Sequence, residues 1–304
     1  MAILMVAATL PMASKELAQS EQAMGQGRAV VTIFAKHSEL APQILQQDLS
    51  VKVDGRDSSV TGWTPFKGAD DRLELVLLID GGARNLARQF DEIRHFVLGL
   101  GPHAKVAIGF MQNGRTVLAG PLSVDHGKAA GELQLPIGPS SSPYFSLSDL
   151  AQHWPSAERG ARREVVLFSD GIDPYNPRFD PSDVYFQTAI NDSVRAGLVI
   201  YTIYWRDRDD GGADSMAADG GQSFLSMVTA ATGGYSYWAG TTNPVTFQPF
   251  FQDLVRRLKN QYELDFAARL VHKPAVADMR LKVEGLGVEV IAPRQVFVDR
   301  AGAQ

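Results

Sequence analysis

The sequence predicts an α/β fold: a doubly wound, mostly parallel sheet flanked by helices, with a small β domain formed from the N- and C-terminal segments. Three observations predict it. Leu73 to Asp80 is an almost unbroken apolar run ending in a carboxylate, which reads as a strand buried on both faces. From Asp71 to about Asn260, strand-like and helix-like patterns alternate, as parallel sheets with crossover helices require. On each side of that stretch the pattern is β only. The chain therefore divides into 1–27 (apolar segment and linker), 28–70 (N-terminal β segment), 71–260 (α/β domain) and 261–304 (C-terminal β segment packing with 28–70).

In the first β segment the strand-like runs are Val30–Phe34 and Leu49–Val53, the second followed by the hairpin pair Asp54-Gly55. In the α/β part they are Leu73–Ile79, Lys105–Met111, Thr116–Ala119, Glu164–Phe168, Leu198–Tyr204 and Gly234–Trp238. Asn113-Gly114 is a second tight hairpin, which puts one antiparallel strand at the sheet edge. The intervening amphipathic segments are Asn85–Leu100, with Leu86, Phe90, Ile93 and Val97 on one face, then Leu147–Trp154, Val184–Ala196, Ser223–Ala231 and Phe247–Leu258. The last segment returns to strands at Tyr262–Phe266, Met279–Val283, Val288–Ile291 and Val296–Val298, separated by turn residues such as Gly285, Gly287 and Pro293.

Composition narrows the function. The chain has 304 residues, 45% hydrophobic and 21% charged, enough for a sizeable core. A net charge of −5 argues against a nucleic-acid partner or an anionic membrane surface. The absence of cysteine removes disulfides, thiolate nucleophiles and Cys-ligated zinc. Ala2 to Ala13 is an apolar stretch of signal-peptide core length, too short to span a bilayer, so the expectation is an exported protein, periplasmic or extracellular, with no integral span in the mature chain. A buried N-terminal helix is the competing reading. No Gly-x-Ser-x-Gly elbow, P-loop, GxGxxG or HExxH occurs, and His37, His95, His103, His126, His153 and His272 are scattered, so an enzyme is not expected.

The strand ending in Asp80, the long helix after it, the Asn113-Gly114 hairpin and Val165-Val166-Leu167-Phe168-Ser169-Asp170-Gly171 together resemble a von Willebrand factor A domain. Arg195–Tyr201 and Thr232-Gly233-Gly234 fit the same pattern, and the β flanks, including Leu281-Lys282-Val283-Glu284, resemble the related domains of exported bacterial proteins. The resemblance implies a six-stranded sheet wrapped by helices. It also implies a metal-ion-dependent adhesion site at the C-terminal edge, built from Asp-x-Ser-x-Ser, a threonine on a second loop and a later aspartate. Magnesium asks for hard oxygen ligands in octahedral array. Here Asp80 and Asp170 match as metal ligands, while Gly82 and Arg84 stand at the serine positions and Phe145 at the threonine position. The site is degenerate.

Arg84 sets the expectation. A guanidinium near two carboxylates supplies the charge that a cation would have brought. The reading adopted is a site without cofactor in which Arg84 pairs with Asp80 or Asp170; weak magnesium binding and an Arg84 turned to solvent are the alternatives. The partner-binding edge is expected to comprise Asp80, Gly82, Arg84, Asp170, Asp173 and Tyr175, the last two on a Pro-rich loop that extends towards Phe179. Asp207 to Asp214 reads as a flexible acidic loop rather than a calcium site. The function expected is non-enzymatic binding of a protein partner, with self-association into a scaffold as the alternative.

Overall fold

The computed structural model describes residues 24–35, 44–68, 71–81, 83–134, 141–158, 160–206, 215–270, 273–284 and 287–300, without the side chains of Arg84 and Ser215. The apolar leader before residue 24, Gly82, Ser140 and the acidic loop 207–214 lie outside the described residues.

Two sheets organise the chain. The first contains β1 (Met24–Ala35), β2 (Leu49–Val53), β3 (Arg56–Pro65), β10 (Gln261–Arg269), β11 (Ala275–Val283), β12 (Val288–Ile291) and β13 (Gln295–Arg300). Their order is β10-β3-β2-β11-β13-β1-β12, and a further β1–β10 pairing closes the sheet into a barrel. All of its ladders are antiparallel. Alternate residues point inward, so Val31, Ile33, Val51, Val53, Leu264, Phe266 and Val298 form its core. Asp54 and Gly55 adopt φ of 47° and 75° between β2 and β3, the conformation a two-residue primed turn requires.

The second sheet is inserted between β3 and β10. It comprises β4 (Leu73–Ile79), β5 (Lys105–Gln112), β6 (Arg115–Leu118), β7 (Arg162–Ser169), β8 (Leu198–Tyr204) and β9 (Ser236–Tyr237), in the order β6-β5-β4-β7-β8-β9. Every residue of β4 is buried, as its almost unbroken apolar run demands, and the one charged member, Glu74, pairs with Lys105. Neighbours pair in parallel except β6, which folds back through Asn113 and Gly114 at φ of 51° and 74°. This edge strand is protected: the Thr116 N–H donates to Asp149 Oδ2 at 2.9 Å and its hydroxyl donates to the Ser146 carbonyl.

Helices cover both faces. Leu75, Leu77, Val166 and Phe168 pack beneath α1 (Phe90–Leu98) and α6 (Gln248–Leu258). Val76, Leu78, Val165 and Leu167 pack beneath α3 (Pro143–Gln152), α4 (Val184–Arg195) and α5 (Ser215–Thr232). Leu86, Phe90, Ile93 and Val97 are all buried as the periodicity predicts, although a 3-10 turn over Arg84–Gln89 replaces the first part of the expected helix. A short α2 (His126–Gly131) was not anticipated, because Gly127 and Gly131 weaken its helical signal; Asp125 caps it by accepting from the Lys128 N–H.

Several expected elements change length: β1 extends to Met24–Ala35, taking in residues expected to be linker, and β11 to Ala275–Val283. The Gly234–Trp238 strand shrinks to Ser236–Tyr237, because the chain at Gly234 is pressed onto β8: a Cβ there would lie 1.8 Å from the Ile200 carbonyl oxygen. Trp238, just past the strand, is 41% exposed. Helix α5 starts well before Ser223 and runs through Gly220 and Gly221, a pair that reads locally as a break.

Candidate functional site

The C-terminal ends of β4 and β7 place Asp80 and Asp170 on adjacent loops, where open α/β sheets put their ligands. Asp80 is held by its backbone: its N–H donates to the Phe168 carbonyl at 3.0 Å, and its own carbonyl accepts from Ala83 at 3.1 Å. The side chain is buried, and Ser169 Oγ donates to Asp80 Oδ2 at 3.1 Å while accepting from the Gly171 N–H at 3.1 Å. Ser169 therefore ties the β7 loop to the β4 carboxylate.

Asp170 accepts the Ile172 N–H at 2.9 Å in a tight side-chain turn. Burial pushes its carboxyl up to about 6, and the Asp80 charge adds to the rise; the Ile172 N–H and the Arg206 guanidinium oppose it. Asp80 and Asp170 are therefore coupled electrostatically.

Asp173 is also buried. Its Oδ1 accepts from the Tyr175 N–H at 3.0 Å, while Oδ2 lies buried without a hydrogen-bond partner. Burial raises this carboxyl too, and the Tyr175 N–H and then the Ser142 side chain offset part of the rise. Asn176 then brackets the loop, its amide donating to the Asp180 carbonyl and accepting from the Asp180 N–H. These turns hold Tyr175 outward, 69% exposed, with its ring 5.1 Å from Phe145. Phe145 meets Tyr185 at 5.0 Å, and Tyr185 is itself exposed. The result is an aromatic shelf beside the acidic edge.

Several residues of the site had no local signal. Tyr144, fully buried on α3, donates its hydroxyl to the Gly171 carbonyl at 2.9 Å. Gly171 adopts φ of 73°, and a Cβ there would lie 2.4 Å from the Gly221 carbonyl; a Cβ on Gly221 would lie 2.1 Å from the Asp170 carbonyl. The glycine pair in α5 is therefore what lets the Asp170 loop lie directly on a helix, and its presence inside a helix was the available clue. Tyr204 ends β8 with a buried hydroxyl lacking a partner, pushed up to about 12 by burial, with the Asp170 charge contributing.

Further along the Pro-rich loop, Phe179 packs inward, its ring 5.5 Å from Phe224 and over Gly220. Phe145 puts an aromatic ring at the position where the family resemblance calls for a threonine. Just before α3, Ser141 accepts from the Gly114 N–H at 2.7 Å and Ser142 caps the helix, so both hydroxyls serve the fold. Gly82 and the Arg84 side chain lie outside the described residues. Among the described residues, no group of three or more His, Cys, Asp or Glu is placed to hold a metal ion. Nor is any described helix long and apolar enough to cross a membrane.

No protein-family model and no curated protein matches the chain. Among solved structures, the chain is similar to an aerotolerance-related membrane protein from Bacteroides fragilis, at 12% identity and TM-score 0.45, over 61% of this chain and 98% of that one. It is similar to the manganese-loaded TRAP protein of Plasmodium vivax, at 12% identity and TM-score 0.43, over 78% of this chain and 97% of that one. It is also similar to the SpRpn10 VWA domain, at 14% identity and TM-score 0.38, over 60% of this chain and 94% of that one.

Proposed function

We propose that this chain is a non-enzymatic protein-binding module of the von Willebrand factor A type, exported from a bacterial cell, whose recognition surface is the C-terminal edge of the α/β sheet. The observation that carries this reading is Tyr175. A loop braced by Asp173 and Asn176 presents its ring to solvent on the Phe145–Tyr185 shelf, and rigid exposed tyrosines are what protein interfaces use as anchors. Catalysis has no support at the same edge. Ser169, the hydroxyl against Asp80, is fully buried and occupied in tying two loops together.

The proposal includes metal independence. Of the family's ligand types only Asp80 and Asp170 remain, and one oxygen of Asp80 already accepts a hydroxyl. That donor set is poor for magnesium, which asks for several oxygen ligands in octahedral array. Arg84, at the start of the turn that follows the Asp80 loop, takes the place of the cation and pairs with Asp80 or Asp170. Thermal melting tests this. The wild type is expected to melt alike in excess magnesium and in EDTA, and Arg84→Ser to gain a magnesium response. A large magnesium-induced rise in the wild-type melting temperature overturns it. Size-exclusion of the purified chain separates partner binding from self-association, the alternative for the same exposed aromatic shelf.

A further inference from the structure

At the opposite, N-terminal edge of the α/β sheet, both chain crossings to the barrel converge on one arginine. Arg162, at the start of β7, is buried; its Nη1 donates to the Leu258 carbonyl at 2.8 Å and to Gln261 Oε1, and its Nη2 donates to Asp71. Asp71 belongs to the incoming linker and Gln261 opens β10, the outgoing one. Phe66 completes the junction, its N–H donating to the Gln261 carbonyl and its ring lying 5.1 Å from the Arg162 guanidinium.

Glu164 sits two residues along the same face of β7. It is fully buried, neither of its carboxylate oxygens accepts a hydrogen bond, and Oε1 stands 3.8 Å from Arg162 Nη1. A buried carboxylate in that state is costly, so the group has reason to carry its own proton. Beside the junction lies a cleft of about 440 Å³, lined by residues including Gln26, Val30, Phe66, Arg162, Val199 and Gln295.

We propose that Glu164 is a proton-operated latch between the barrel and the α/β domain. With the proton on, Arg162 has no charge competing inside the sheet and holds both linkers. With the proton off, Glu164 draws the guanidinium inward, away from Asp71 and Gln261, and the junction loosens. The surroundings fit this division. From β7 the facing charge is Arg162, from the linker Asp71, from β8 Tyr201, whose hydroxyl accepts from Gln261 Nε2, and from α6 the Arg257–Asp253 pair with Tyr237 of β9. β4 contributes apolar Leu73 and Leu75 on this face, whereas Glu74 pairs with Lys105 and accepts from Trp154. Burial pushes the Glu164 carboxyl up to about 7; the Arg162 charge counters it in part and the Asp71 charge adds to it. Because the folded value is raised, the stabilising contribution is complete below the ordinary glutamate range and is lost as pH rises through about 7.

Hydrogen–deuterium exchange on the full chain, corrected for intrinsic rates, tests the latch in peptides covering 66–72 and 259–262. Wild-type protection there is expected to fall roughly tenfold between pH 5.5 and 8.5, one decade corresponding to one unit of differential proton affinity. Glu164→Gln should hold the protected state at both values. Asp71→Asn, which removes a charge that raises Glu164, should move the midpoint of the wild-type transition to lower pH. A pH-independent wild type, a Glu164→Gln variant with the wild-type response, or an unmoved midpoint in Asp71→Asn each overturns the proposal.

Discussion

Replacing Asp170 by asparagine should stabilise the fold above neutrality. The asparagine Oδ1 can keep the Ile172 N–H bond, so the change removes chiefly the buried charge and its repulsion from Asp80. Folding raises the Asp170 carboxyl from 3.8 to about 6. A shift of roughly two units corresponds to about 3 kcal/mol of native-state penalty, because one unit is about 1.4 kcal/mol. The sign follows from the direction. Below the unfolded value both states are protonated and there is no penalty; it grows as pH rises and is complete above about 6. Urea unfolding of wild type and Asp170→Asn, in EDTA at pH 8 and again near pH 4, measures it. The expected gain is up to about 3 kcal/mol at pH 8 and close to nothing at the lower pH. An Asp170→Asn variant that is less stable than wild type at pH 8 would refute the electrostatic account of this pair.

The other predictions concern the scaffold that positions the edge. Tyr144→Phe should cost about 1–2 kcal/mol in the same unfolding assay, since it leaves the buried Gly171 carbonyl without its donor. Gly234→Ala should cost roughly 3 kcal/mol, because the new methyl meets the Ile200 backbone rather than a side chain that can yield. Leu77→Ala, at the centre of β4 and fully buried, should cost about 2–5 kcal/mol, with the spread set by how far the two helical layers collapse onto the void. A measured loss near zero for Leu77 would place β4 outside the core.

Most strands and helical faces were legible because burial imprints itself locally, whereas β3, largely exposed, carries no such run. The almost unbroken apolar run of β4, the spacing of Leu86, Phe90, Ile93 and Val97, and the Asp-Gly and Asn-Gly turns each announce an element without reference to the rest of the chain. The same holds for Asp80 and Asp170, whose place at strand ends gives them to the sheet edge. What supports them was not legible. Tyr144 and Ser142 come from another helix, and the packing of Asp170 on Gly221 joins segments about fifty residues apart in sequence. Propensity misled at α2 and at the start of α5, where glycines argue against helix locally and tertiary contacts prevail. Arg162 and Glu164 look in the sequence like ordinary charged residues at the mouth of a strand; only the barrel packed over them makes their burial visible.

The central claim is that a protein partner docks on the aromatic and acidic edge without a metal. Affinity capture from the source cell, run in EDTA with wild type, Tyr175→Ala and Tyr185→Ala, tests it most directly. The account predicts one partner retained by wild type in EDTA and lost from both variants, while all three chains elute alike in size-exclusion. Capture that persists in both variants, or that disappears when EDTA is added to the wild type, would contradict it.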